Sequence, residues 1–252
     1  MVRNLAILLR FVGTRYHGWQ VQKNAATVGQ TVRDALTSLC GHLVTLHGCG
    51  RTDAGVHAEK YVANFNTESP IPAGRVPYAM DALLPSDITI LDCREVPPDF
   101  HAISCCEKKQ YTYTLHNAAR RDPFLSDRTL FYPQPIDLCA LRDACAVFAG
   151  THDFAAFRTL GSPTKSTVRT VYGCEAIHAG DTVKLTITAD GFLYNMARTI
   201  AGTALYVSEG KLTAENVRDL LRGGLRADAG PVAPAHGLAM TQVWYPERYG
   251  LW

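Results

Sequence analysis

The run Gly50-Arg51-Thr52-Asp53-Ala54-Gly55-Val56-His57-Ala58 is dense in residues that can do chemistry. One carboxylate, Asp53, stands two places after an arginine and two before a glycine. Asp and Thr stabilise turns by bonding nearby backbone, and glycine admits backbone angles that other residues resist. The pattern predicts a loop that presents a carboxylate, and a positioned carboxylate can act as a nucleophile. A second stretch, Gly13-Thr14-Arg15-Tyr16-His17-Gly18-Trp19-Gln20, mixes glycine, aromatic and basic residues. Loops of this kind set aromatic faces and cations against nucleic acid, which makes Arg15 and Trp19 candidates for binding it. The same stretch also fits a surface loop with a packed Trp19.

Strands and a helix must frame these loops. Leu5 to Phe11 reads as a buried strand. Thr27 to Cys40 reads as a helix, with Thr27 as N-cap, Gln30 in a capping box and Gly41 as its end. Leu43 to Cys49 and Tyr61 to Asn66 read as strands, the second with Tyr61, Ala63 and Phe65 on one face. The Asp53 motif fills the gap of about 11 residues between them, longer than a plain hairpin loop. A short helix over Arg75 to Ala82 and a strand over Ile88 to Val96 close a first half, residues 1–100.

The second half, residues 101–252, opens on a strand from Gln110 to His116, with Tyr111, Tyr113 and Leu115 facing one way. Lys108 and Lys109 precede it and Arg120 and Arg121 follow it, at ends from which they could reach a phosphate backbone, although each pair taken singly reads rather as solvated charge. Taken alone, Tyr111 reads rather as a core tyrosine on a strand. A helix capped by Asp137 runs to about Gly150. The segment Thr151 to Phe157 then leads to a loop with Gly161 and Pro163. Val168 to Ile177 and Val183 to Ala189 form a hairpin. A helix from Phe192 to about Val207 places Asn195, Arg198 and Gly202 on a stripe of their own. A glycine there marks close approach by something, or packing against a neighbouring element. Thr213 caps a further helix to Leu221, and Met240 to Tyr245 is a last strand. The hairpin-like connections favour an α+β fold on antiparallel sheet over a doubly wound parallel one.

Net charge is only +2, with 47% hydrophobic and 19% charged residues, so binding to nucleic acid must rest on a local basic face. The apolar run at the N-terminus stops at Arg10, too short for a signal peptide or a membrane span, and a cytoplasmic protein is expected. The eight cysteines show no Cys-x-x-Cys pair and no paired His/Cys ligand spacing, so reduced thiols and no metal are expected. There is no Gly-x-Gly-x-x-Gly turn after the first strand and no P-loop, so no nucleotide cofactor is indicated.

The Asp53 motif does not stand alone. With it come Gly13-Thr14, Tyr16 and Gly18-Trp19-Gln20, Phe100-His101-Ala102, and Lys109 with Tyr111 and Tyr113. Asp153-Phe154 with Phe157, Gly191-Phe192-Leu193-Tyr194-Asn195-Met196 with Arg198, and Pro234 with Gly237-Leu238 follow. In this order, over nearly the whole chain, they resemble the tRNA pseudouridine synthase A family. The resemblance implies a fold of two similar halves sharing a central antiparallel sheet flanked by helices. It implies conversion of uridine to pseudouridine at positions 38, 39 and 40 of the tRNA anticodon stem-loop, without cofactor or metal, by a homodimer whose two subunits contact one tRNA. Residue by residue it implies that Asp53 is the catalytic aspartate and that Arg51 helps displace the target base. Tyr111 stacks on the flipped uracil, and Arg198 pairs with the catalytic carboxylate. Lys109, Arg15, Trp19 and His57 are expected to bind substrate. Val12 stands where an acidic residue usually precedes Gly-Thr, and Ile103 where an arginine usually follows Phe-His-Ala; the latter removes one expected RNA contact.

The chemistry fits this assignment. The N1–C1′ bond breaks, the base turns and C5 joins C1′, which needs no redox change and no activated donor. It needs an ionised carboxylate, which a nearby arginine favours against burial. A buried Asp53–Arg198 pair in a cleft between the halves is therefore expected. Three rivals remain: a hydrolase using Asp53 with Asp153 as second carboxylate, an RNA-binding module without catalysis, and the same chemistry on another RNA.

Overall fold

A computed structural model describes residues 1–161 and 164–252. Pro163 of the expected loop therefore lies outside the described residues. In chain order the elements are β1 (Arg3–Phe11), α1 (Val28–Cys40), β2 (Leu46–Gly48), β3 (His57–Thr67), α2 (Val76–Asp81), β4 (Ile88–Val96) and β5 (Lys108–His116). Then come β6 (Leu130–Phe131), α3 (Leu138–Val147), β7 (Gly150–Asp153), β8 (Val168–Ala179), β9 (Thr182–Ala189), α4 (Met196–Ser208), α5 (Ala214–Leu221) and β10 (Leu238–Trp244). The chain is α+β, antiparallel sheet flanked by helices. It divides into two compact units, one of Met1–Lys108 with Met240–Trp252 and one of Lys109–Ala239.

In the first unit β1 lies between β3 and β4, antiparallel to both, with Ile7 opposite Ala63 and Cys93. Leu5, Ala6, Ile7 and Leu9 are all fully buried. A strand covered on both faces reads as a continuous apolar run, which is why β1 shows no alternation in sequence. The helix α1 starts where Thr27 accepts a hydrogen bond from the Gln30 N–H at 3.3 Å, and it ends at Gly41 with φ 73°. Its Val28, Val32 and Leu36 are buried in the core. The Phe100–Ala102 segment is fixed by amides in the core. Asn4 donates to the Phe100 carbonyl at 2.9 Å, Asn64 donates to Asn4 at 3.0 Å, and the Ala102 N–H donates to Asn64 at 2.9 Å.

In the second unit β9 lies between β5 and β8, antiparallel to both, with Tyr111 and Cys174 each opposite Ile187. Val183, Leu185, Ile187 and Ala189 are buried, alternating with more exposed residues, as a sheet with one covered face requires. The helix α3 packs on α4 and β8, and Phe148, Phe154 and Phe157 meet edge to face beside it.

Three expectations change. β2 is shorter than Leu43–Cys49, and β3 begins at His57 rather than Tyr61, because Ala58 already pairs with Phe11. The Asp53 loop is therefore residues 49–56. The helix expected from Phe192 begins at Met196, because Asn195 takes left-handed backbone (φ 61°) that no α-helix continues. Gly202 is a packing glycine: a Cβ there would strike the Pro231 carbonyl, where the 230–233 loop lies against α4.

Candidate active site

Asp53 opens a tight turn. The Val56 N–H donates to its carbonyl at 3.1 Å, and Gly55, the third residue of the turn, has φ 80°. A turn with positive φ at that place calls for glycine. The strand β3 follows at once, so the carboxylate is carried at the mouth of a well-packed strand rather than on a long mobile loop. Its side chain is half-buried, between buried Thr52 and exposed Ala54.

The Gly13–Gln20 loop holds this turn through backbone contacts. The Trp19 N–H donates to the Thr52 carbonyl at 3.3 Å, and the Gly55 N–H donates to the Tyr16 carbonyl at 3.1 Å. Gly18 has φ 81°, and a Cβ on it would collide with the Thr52 carbonyl oxygen. The loop is itself docked on the start of α1, where the Val28 and Gly29 N–H groups donate to the Gly18 and Trp19 carbonyls at 3.0 and 3.1 Å. Those are amides a helix leaves without partners in its first turn.

Each expected substrate-binding residue of this unit has a definite place. Trp19 is 7% exposed and stacks on Tyr61, ring centres 4.2 Å apart, while Tyr61 donates its hydroxyl to the Gly50 carbonyl. His57 is 6% exposed, and its Nδ1 accepts the Gly13 N–H at 2.9 Å. That bond puts any proton of a neutral ring on Nε2. Arg51 is exposed. Arg15 is also exposed, with Nε and Nη2 donating to Asp87 Oδ2 at 2.9 and 2.6 Å. Tyr16 gives its hydroxyl to the other Asp87 oxygen at 2.8 Å. Burial first, and then that bond, push the Tyr16 hydroxyl up to about 12, so it remains a donor at neutral pH.

In the second unit, Arg198 sits in the first turn of α4. Its Nε donates to the Ala233 carbonyl and its Nη1 to Asn195 Oδ1, both at 2.7 Å, and the Ala233 N–H returns a bond to the Arg198 carbonyl at 3.2 Å. Asn195 also donates to Thr159 Oγ1 at 2.9 Å. It is the one residue other than glycine with positive φ among those described. Strain of this sort gathers at sites where a side chain must be aimed. Tyr111 is 6% exposed and meets the Phe192 ring edge to face at 4.8 Å. Beside it on β5, Tyr113 donates to the Pro234 carbonyl at 2.9 Å. Burial holds that hydroxyl well above its usual range, while Arg198 pulls it down. Lys109 is half-buried at the first β5–β9 pair, opposite Ala189.

Asp153, the second carboxylate of the hydrolase reading, is exposed and accepts the N–H of Ala155 at 2.9 Å, capping its own short turn. Two residues with clear roles carry little signal in sequence. Asp87 looks like an ordinary acidic residue before a strand, and Thr159 like a loop threonine. Among the described residues no group of three or more His, Cys, Asp or Glu side chains is gathered as a metal would need.

A family model described as tRNA pseudouridine synthase matches residues 7–103 and 144–246. The chain is 42% identical over 244 residues to tRNA pseudouridine synthase A of Acetivibrio thermocellus, covering 97% of this chain and all of that one. It is 40% identical over 245 residues to the protein of that name from Ruminiclostridium cellulolyticum, again 97% of this chain and all of the relative. A third, from Citrifermentans bemidjiense, is 41% identical over 98% of this chain and 99% of its own length. This chain belongs to the tRNA pseudouridine synthase family. As a member it is an isomerase that turns uridine into pseudouridine in tRNA.

Proposed function

We propose that this enzyme acts on uridines 38, 39 and 40 of the tRNA anticodon stem-loop and that Asp53 is its reactive carboxylate. The observation that carries the assignment is the bracing of Asp53: its turn is bonded on one side within itself and on the other to the Gly13–Gln20 loop. Such bracing keeps a nucleophile close to its reactive geometry. Asp53 forms a covalent intermediate or stabilises a cationic sugar while the N1–C1′ bond breaks. After the base turns, C5 bonds to C1′, the C5 proton leaves and N1 regains one, so composition is unchanged and no oxidant or donor enters.

Arg51, exposed two residues before Asp53, displaces the target base, whose removal from the stack costs a few kcal/mol. Tyr111 stacks on the extruded uracil, and Arg198 is the cation that favours the ionised Asp53. Lys109 and Arg15 bind phosphates. Buried Trp19 and His57 serve the substrate through the loop backbone they hold. The halves 1–100 and 101–252 supply the nucleophile and the stacking and charge partners, respectively. The enzyme works as a cytoplasmic homodimer in which one tRNA meets both subunits. Among the described residues no helix is long and apolar enough to cross a membrane.

The test is incubation with unmodified tRNA transcripts, followed by mapping of pseudouridine by carbodiimide treatment and primed reverse transcription. Wild type gives stops for positions 38–40, whereas Asp53→Asn binds tRNA and gives none. Stops confined to other positions, or an Asp53→Asn variant with turnover near wild type, overturn the corresponding assignment.

A further inference from the structure

Asp87 lies well outside the Asp53 motif in sequence, yet it anchors the segment that braces Asp53. Its carboxylate accepts three hydrogen bonds: one from the Tyr16 hydroxyl at 2.8 Å and two from the Arg15 guanidinium at 2.9 and 2.6 Å. Its carbonyl accepts the Val12 N–H at 2.9 Å. The next residue, Ile88, is locked opposite Phe11 where β4 pairs with β1. One residue on a fixed strand end thus holds Val12, Arg15 and Tyr16. The Asp87 side chain is 12% exposed and the Tyr16 side chain is buried, so the Tyr16 bond is shielded from competing water more than the two from exposed Arg15. From Tyr16 the link continues through its carbonyl to the Gly55 N–H at 3.1 Å, inside the turn that Asp53 opens.

We infer that Asp87 is a positioning residue for the reaction: by fixing Tyr16 and Arg15 it sets the distance at which the Gly13–Gln20 loop holds the turn of Asp53. The inference rests on Asp53 being the reactive carboxylate. Misplacement of a nucleophile lowers the rate of the chemical step more than it lowers binding, because the proposed ground-state contacts to tRNA, apart from that of Arg15, which keeps its charge in every variant tested, are made elsewhere.

The experiment measures kcat, KM and thermal melting for Asp87→Ala, Asp87→Asn, Tyr16→Phe and the Asp87→Ala/Tyr16→Phe double variant on a tRNA transcript, with Asp53→Asn alongside. For Asp87→Ala, kcat is expected to fall by about tenfold or more with KM within about twofold of wild type. Asp87→Asn keeps one acceptor oxygen for Tyr16 and regains part of the loss. The double variant is no slower than Asp87→Ala, since both act along one path. An Asp87→Ala variant that melts cooperatively and keeps its kcat overturns the inference, and so does one that changes KM alone. If Asp87→Ala does not fold, Tyr16→Phe decides, and an unchanged kcat there overturns the inference. An active Asp53→Asn variant removes the underlying assignment of the nucleophile. An inactive one beside fully active Asp87 variants removes the positioning role only.

Discussion

At the scale of single residues, the two tyrosines of β5 differ in what they can offer. Tyr113 spends its hydroxyl on Pro234 and is wholly buried, whereas the ring of Tyr111 is braced edge-on by Phe192. A braced ring is a good stacking platform, because little side-chain freedom is lost when a base lands on it. Tyr111→Phe keeps the ring and is expected to retain much of wild-type kcat. Tyr111→Ala loses the platform and is expected to lose about 1–3 kcal/mol of transition-state binding, read from kcat/KM. If Tyr111→Phe is as slow as the alanine variant, the hydroxyl has a chemical part. A second residue-scale expectation concerns Asp92. It accepts the Trp252 indole N–H at 2.6 Å and an Arg94 bond at 3.0 Å. Burial works to raise its pKa, but those donors and the Cys93 N–H outweigh it, so the carboxyl stays below its usual 3.8. The folded carboxyl is thus the stronger acid. The stability this gives is present above pH 3.8 and is lost as pH falls through the lower folded value. Trp252 should therefore be released only in that acid range, visible as a change in tryptophan fluorescence that Asp92→Asn abolishes.

At the scale of elements, caps and strand ends separate what the sequence discloses from what it hides. The helix α1 is readable at both ends, because Thr27 and Gly41 have few other reasons to flank an apolar stripe. The strand β4 is readable because Ile88, Ile90, Cys93 and Val96 are buried between exposed neighbours. The start of β3 is not: His57-Ala58-Glu59-Lys60 has no alternation to betray a strand, and only pairing with β1 makes it one. The start of α4 is hidden for the opposite reason. Phe192 and Leu193 continue the apolar pattern of the helix, and nothing local announces that Asn195 turns left-handed. That residue supplies the third prediction. Asn195→Gly relieves the backbone but gives up the bond to Arg198, so stability should stay within about 1 kcal/mol while kcat falls. Asn195→Val forces a β-branched residue into the same angles and should lower the melting temperature by roughly 2–4 °C for each kcal/mol of destabilisation. Thermal melts of both variants check the contrast.

At the scale of the whole molecule, the near-neutral charge sets the terms of tRNA binding. With 25 basic against 23 acidic residues, long-range attraction is weak, and affinity must come from a few cations placed against phosphates. The turn that carries Asp53 was legible because Asp53 sits in a dense run of special residues. Its support was not, because it is backbone: carbonyls of Thr52 and Tyr16 and amides of Trp19 and Gly55 look alike in any sequence. Replacing Lys109 or Arg15, the two proposed phosphate contacts, by alanine should make tRNA binding less dependent on salt, by about one unit of slope per phosphate left unneutralised. Titrations at several salt concentrations measure this. Sedimentation across a range of protein concentration tests the homodimer in the same samples.

The interlock of the Gly13–Gln20 loop with the turn at Asp53 also has a consequence in time. The amide protons of Trp19 and Gly55 are each held by a carbonyl across the loop and the turn, and that of Val56 by the Asp53 carbonyl within the turn, so the three share one register. They should therefore exchange with deuterium together, with one common opening free energy, as a single cooperative unit. That unit can open while β1, packed on both faces, stays closed. On warming, the enzyme should lose turnover before it loses its strands, and the gap between the two events measures how firmly the loops hold each other.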